Sequence, residues 1–267
     1  MKLRSNHSKM ENVYMGLVYI FLYLPVLVLF IFSFNTSSLN IVFEGFTFDW
    51  YGKLFQNREI VSAFINSIIV AVCTTAVSCV IGTIGAIGMY RYQFLGRKAL
   101  DALLYIPIVI PEIVLGIALL SYFTNLKMSL GIGTLIIAHS SFCIPFVINN
   151  VKTRLAGYDM SLEEAAMDLG ANRIKTLFKV TLPMIMPGIT AGAMLSFALS
   201  MDDIIISFFV TGPNSVTLPV KILSMVRTGV TPEVNALCVI LLLISILLVG
   251  GSNVYTYLKN KSNGITE

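Results

Sequence analysis

Charge is what this chain has least of. Only 12% of its 267 residues are Asp, Glu, Lys or Arg, about half the ~25% of an ordinary soluble domain. Hydrophobic residues make up 56% and the mean hydropathy is +0.84, so water is not the chain's main solvent. Histidine is scarce as well, with two in all. The four cysteines, Cys73, Cys79, Cys143 and Cys238, lie in apolar runs without CxxC or His-paired spacing. That excludes a zinc site or a disulfide framework and leaves them as small core hydrophobes. No GxxxxGK[ST] loop is present to cradle nucleotide phosphates, and no HExxH or GxSxG stretch to do hydrolytic chemistry. The chain is read as binding no metal and no cofactor, and as no enzyme. The net charge of +4 does not point to nucleic acid, which is bound by Lys and Arg clustered on one face of a far more polar domain.

What the chain has instead is long apolar runs. A helix needs roughly 20 apolar residues to cross the hydrocarbon core. Six stretches qualify, 14–34, 62–90, 100–123, 130–151, 187–210 and 235–257. The first follows a basic start, Lys2, Arg4 and Lys9. It is uncharged from 12 to 43, too long for the apolar region of a cleaved leader, so it is expected to stay as a span. Thirteen of the 18 Lys and Arg residues fall on one side of the resulting topology, and Lys53, Arg58, Lys127, Lys221 and Arg227 on the other. The positive-inside rule puts the richer side, with both termini, in the cytoplasm. The expected fold is an all-α membrane protein, one transmembrane domain over 1–267. Gly188, Gly192, Ser196 and Ser200 recur every four residues in span five, with Gly82, Gly85 and Gly88 in span two. Small residues let helix backbones approach, and ordinary bundle packing explains them. His139 reads as a hydrogen-bonded packing residue, and Pro25, Pro107, Pro111 and Pro145 as in-span prolines whose freed backbone groups neighbours satisfy.

The longest cytoplasmic segment, 152–186, is more than a connector. Ser161 and Glu164 form an S-x-x-E capping box that predicts a helix from Leu162, Gly170 is placed to end it, and Asn172 to cap a second. Leu162, Ala165, Ala166 and Leu169 stripe the first helix, Ile174, Leu177 and Phe178 the second. So short a helix needs that stripe covered, by another protein or by the membrane surface and the bundle's own end.

Charges inside spans are costly and normally face a cavity. Glu112 stands in span three and Asp202–Asp203 in span five, with no Lys or Arg near them in sequence. A negative cavity suits a cation, and Tyr105, Tyr122, Phe123, Phe208 and Phe209 offer cation-π faces. Alternatively the two aspartates cap a broken helix or pair with a partner's arginine. Pro107 and Pro111 beside Glu112 suggest a broken helix that acts as a hinge.

Glu164-Ala165-Ala166, three residues, Gly170, nine residues, then Val180-Thr181-Leu182-Pro183 resembles the EAA loop of ABC-importer permeases, with Val180 in place of Ile. Segments from Tyr90-Arg91-Tyr92 through Leu199-Ser200-Met201-Asp202-Asp203 to Pro232-Glu233-Val234-Asn235-Ala236 are similar to the spermidine/putrescine branch of that family. The resemblance implies a MetI-like permease bundle of six transmembrane helices in the bacterial cytoplasmic membrane. It implies that Glu163, Glu164, Ala165, Ala166 and Gly170 couple to an ATPase, and that Glu112, Asp202, Asp203, Tyr105 and Tyr122 line the substrate pathway. It further implies a second, related permease forming a heterodimer, two copies of a cytoplasmic ABC ATPase carrying ATP and Mg, and an extracytoplasmic polyamine-binding protein. The outer loops, 35–61 and 211–234, would meet that protein, with Glu44, Asp49, Glu59 and Glu233 as candidates. A different solute, or a stand-alone membrane enzyme or channel, is the alternative.

Overall fold

Apolar residues in runs of 20 or more can satisfy their backbone groups in lipid only by coiling into helices, and the computed structural model is built almost wholly of them. It describes residues 9–38, 42–157, 159–229, 231–244 and 246. The chain divides into two compact units, Met1–Val61 with Ser224–Glu267, and Ser62–Leu223.

In the first unit, α1 (Lys9–Phe32) is apolar from Val13 on and largely exposed there, with Phe21 78% accessible, as suits a helix facing lipid. Beyond it an isolated bridge joins Asn35 to Phe46, and Asn35 accepts from the Trp50 indole at 2.7 Å. The short α2 (Asp49–Gln56) follows. The apolar helix α12 (Pro232–Ile244) also belongs to this unit. Most of the expected sixth span, 235–257, lies outside the described residues.

In the second unit, α3 (Arg58–Arg91, whose first turn precedes the unit) ends at a turn through Gly96, which takes φ +92. α4 (Arg97–Val109) and α5 (Glu112–Asn125) follow. The stretch expected as span 100–123 is carried by these two helices, which meet at 107°, the broken helix that Pro107 and Pro111 suggested. Pro111 is the cause. A residue before proline is pushed out of the α region, and Ile110 is extended at ψ 135.

The central helix is α6 (Ile132–Ala156), against which α9 (Leu182–Asp202) packs most closely. A β-carbon on Gly192 would stand 3.0 Å from Val147 Cα, and one on Gly188 3.0 Å from the Asn150 carbonyl oxygen. The four-residue seam is thus a packing surface. In span two only Gly82 is closely packed, against Val147, and Gly88 faces open space. One core cluster gathers Ala86, Met89, Val147, Val151, Leu155 and Ile185, a second Val70, Phe123, Leu135, Ala138, Ile206 and Val210. Between α6 and α9 run α7 (Ser161–Asp168), α8 (Arg173–Thr176) and a π-helical turn, Leu177–Thr181.

The fifth span also differs from expectation. Helix is continuous from residue 173 to Asp202, and the chain is extended at Asp203, ψ 121. It coils again only as α10 (Ile205–Val210), so the expected span 187–210 begins earlier and is broken near its end. α11 (Leu218–Thr228), whose residues from Ser224 on belong to the first unit, follows. Among the described residues, four helices are long and apolar enough to cross a membrane, or five if the bent pair counts as one.

Candidate functional site

The two helix breaks face one cavity of about 630 Å³, lined by Pro107, Glu112, Leu115, Phe142, Phe146, Ala198, Asp202, Asp203 and further aliphatic residues of the same segments. Glu112 is the first residue of α5, directly after the Pro111 break. A carboxylate is favoured there by the positive end of the helix dipole. Asp202 is the last residue of α9, where the dipole disfavours a negative charge and the final carbonyls lack intrahelical partners. Helix stability does not explain Asp202. Its charge adds to the negative potential of the helix end, and its side is exposed to the cavity. No Lys or Arg lines the cavity among the described residues.

Asp203 is placed differently from its neighbour. Its carboxylate accepts the Ser207 N–H at 2.7 Å and the Ile206 N–H at 3.3 Å, capping α10. It also lies 3.3 Å from His139 Nε2. The His139 ring is fully buried and bonds Ser200 Oγ at 2.8 Å and Ser207 Oγ at 3.0 Å. A buried carboxylate so surrounded is satisfied by fixed dipoles. This network caps α10 directly after the break, and Asp202 on the other side of the break lines the cavity. Tyr105 and Tyr122 are both half or more exposed and are not among the cavity-lining residues.

On the 152–186 segment the S-x-x-E capping box is not formed. Asp159 accepts the Ser161 N–H at 2.9 Å, so α7 starts one residue early and Ser161 caps nothing. That bond holds the fully exposed Asp159 carboxyl below the ordinary aspartate range. Asn172 does cap α8, accepting the Lys175 N–H at 2.8 Å, and Gly170 makes the turn at φ +86. The apolar stripe is turned outward, with Leu162 43%, Leu169 89%, Ile174 69% and Phe178 64% exposed. Ala165 and Glu164 are exposed and Ala166 half-buried. The buried member is Glu163. It pairs with Arg91 at 2.5 Å and accepts the Thr181 hydroxyl at 2.6 Å.

A sequence profile of the family described as binding-protein-dependent transport system inner membrane component matches residues 78–260. The chain belongs to that family. It is 43% identical over 251 residues to the spermidine/putrescine transport system permease protein PotC of Shigella flexneri, covering 94% of this chain and 95% of that one. It is 41% identical over 229 residues to the putrescine transport system permease protein PotI of Escherichia coli (strain K12), covering 83% and 82%. Its fold is similar to the crystal structure of a bacterial ABC transporter involved in the import of the acidic polysaccharide alginate, with TM-score 0.71 at 16% identity, covering 94% of this chain and 99% of that one. It is also similar to the inward-facing MetNI methionine ABC transporter, with TM-score 0.53 at 18% identity, covering 79% and 100%. At those identities the likeness is of fold alone.

For this inner membrane component, the structure brings Glu112, Asp202 and Asp203 to one cavity and leaves Tyr105 and Tyr122 out of its lining. Phe142 and Phe146, one turn apart on α6, line it as well. Their i, i+4 spacing is the signal in the sequence, and it is shared with any packed helix face. Arg91 stands in the sequence only at the end of a span and within the Tyr90-Arg91-Tyr92 segment of the resemblance, neither of which names a partner, and the fold brings it to Glu163 across 72 positions of chain.

Proposed function

We propose that this chain is the permease subunit of an ATP-driven importer of polyamines, spermidine and putrescine, in the bacterial cytoplasmic membrane. It crosses that membrane six times with both termini cytoplasmic. A second, related permease completes the translocation path, two copies of an ABC ATPase bind and hydrolyse ATP with Mg, and an extracytoplasmic binding protein delivers the polyamine. This chain binds no cofactor of its own.

The observation that carries the reading is the pair Glu112 and Asp202, from two separate broken helices, on one cavity whose remaining lining, apart from the Asp203 carboxylate that caps α10, is apolar. A polyamine carries ammonium groups separated by methylene stretches. Two carboxylates set in aliphatic and aromatic walls match that alternation, charge to charge and methylene to apolar wall, and Phe142 and Phe146 add ring faces for an ammonium. The similarity to the spermidine/putrescine permease PotC and the putrescine permease PotI supports the same cargo. On the cytoplasmic side, the outward Leu162, Leu169, Ile174 and Phe178 form an apolar surface for the ATPase, with Glu164, Ala165 and Ala166 beside them and Gly170 setting the angle of the turn.

The test is uptake of radiolabelled spermidine and putrescine by cells lacking this chain and complemented with wild type, Glu112→Gln or Asp202→Asn, with membrane levels checked by blot. Wild type is expected to restore uptake and each variant to lower it. A wild type that restores uptake of another cation but of neither polyamine would overturn the cargo.

A further inference from the structure

The Glu163 carboxylate joins three elements. Arg91, its ion-pair partner at 2.5 Å, is the last residue of α3. Thr181, which donates its hydroxyl to the same carboxylate oxygen at 2.6 Å, ends the π-helical turn that leads into α9. Arg91 Nη2 also donates to Thr181 Oγ1 at 3.1 Å, which closes the triangle. The Glu163 side chain is 6% exposed and that of Arg91 24%, so the pair is shielded from the solvent that weakens surface ion pairs.

α7 has eight residues, too few to hold a helix without outside contacts. Its apolar residues point away from the chain and Glu163 points into it. A force applied to the outer face therefore has a direct side-chain route to the membrane part through this carboxylate, besides the packing of α7 on α8 and the π-helical turn, and from the carboxylate it has two branches. Along α3 it enters the core, where Gly82, Ala86 and Met89 pack on α6. Along α9, 21 residues or about 30 Å of helix, it ends at Asp202 on the cavity.

We propose that Glu163, with Arg91 and Thr181, is the joint that divides movement of α7 between α3 and α9, so that displacement of the cytoplasmic helix repositions Asp202. These are positioning residues; none touches cargo or nucleotide. The proposal rests on the importer reading above and adds where inside this chain the coupling runs. Glu164, in the position that carries the family motif, is exposed and has no such role.

The experiment uses the complete complex in proteoliposomes and reads polyamine moved per ATP hydrolysed, a ratio insensitive to how much complex is present. Couplings between sites typically amount to 5–150-fold, and the ratio is expected to fall about tenfold in Glu163→Gln and in Arg91→Gln, with a smaller fall in Thr181→Val. The exchanged pair R91E/E163R is expected to regain most of it, which a mere loss of folding would not allow. A second readout is independent of cargo: a cysteine placed at Ala198 on the cavity, with the four native cysteines replaced by serine, is labelled with and without ATP. ATP is expected to change its reactivity in the wild-type background and not in Glu163→Gln. An unchanged ratio in Glu163→Gln, an exchanged pair no better than the single variants, or an ATP-dependent labelling change that survives Glu163→Gln would overturn the joint. A wild-type complex that moves no polyamine yet shows the ATP-dependent change overturns the cargo alone, and the labelling arm still decides the joint.

Discussion

Gly212 offers the sharpest perturbation of the fold. It follows α10 in the turn Thr211-Gly212-Pro213, and a β-carbon there would lie 2.1 Å from the Leu130 carbonyl oxygen, 2.8 Å from its carbon and 3.3 Å from Gly131 N. These are backbone atoms, so no rotamer change relieves the clash. One strand of the turn must retreat by roughly an ångström to restore a normal carbon–oxygen contact near 3.3–3.6 Å. Two bonds sit on that seam: Gly212 N–H donates to Ser215 Oγ at 2.7 Å, and Thr134 Oγ1 donates to the Val210 carbonyl at 3.0 Å. Overpacking costs about 1–3 kcal/mol and each lost hydrogen bond about 1 kcal/mol. Gly212→Ala should therefore destabilise by about 3–5 kcal/mol, which corresponds to a fall of about 10 °C in midpoint for a chain of this size. Thermal aggregation in detergent, followed by fluorescence-detected size exclusion, reads it. Gly88→Ala is the control, since nothing lies within 4 Å of its built β-carbon; a mid-helix glycine replaced by alanine gains about 0.5–1 kcal/mol. A Gly212→Ala midpoint as high as that of Gly88→Ala would refute the close approach of the two turns.

Three other predictions concern the cavity and the cytoplasmic segment. Gly170→Ala forces a β-carbon into φ +86, at about 1–2 kcal/mol; it should lower uptake while leaving the core stable, seen as normal midpoint and reduced transport. Asp203→Ala removes the cap of α10 and takes one of its three partners from the buried His139, and should cost about 2 kcal/mol; Asp203→Asn, which keeps an acceptor oxygen, should cost less, and equal losses would argue against the cap. Asp159 titrates below the usual aspartate value because it accepts the Ser161 N–H, so its cap on α7 is fully present above about pH 4 and is lost as pH falls through the lowered folded value. Amide exchange at Ser161 should accordingly be slowed at neutral pH and lose that protection in Asp159→Ala, and no difference between the two proteins would remove the cap.

The sequence made much of this legible where a residue type has one physical use. Gly170 takes the left-handed conformation its place in the motif called for, and Gly188 and Gly192 let α9 approach α6 so closely that a β-carbon there would crowd its backbone at 3.0 Å. The breaks in the third and fifth spans were harder to see. Pro111 hinted at the first, but the size of the bend, 107°, is not written in the local sequence. The adjacent aspartates offered a capped break in the fifth span as one of two readings, and Asp203 does cap α10; what the sequence alone does not show is His139 from α6 beside that carboxylate. The capping box failed because Asp159, two residues ahead of Ser161, competes for the same N–H and wins. The loop's polarity is inverted relative to an ordinary amphipathic helix, with Leu169 out and Glu163 in. Periodicity could mark those two faces and could not tell which one meets the chain's own core.

The most direct test of the account is ATP-driven accumulation of radiolabelled spermidine and putrescine by vesicles holding the purified complex of this chain with its partner permease, ATPase and binding protein. Accumulation that requires ATP and falls in Glu112→Gln and Asp202→Asn is the predicted result. Vesicles whose complex hydrolyses ATP but gather neither polyamine above protein-free vesicles would contradict the account.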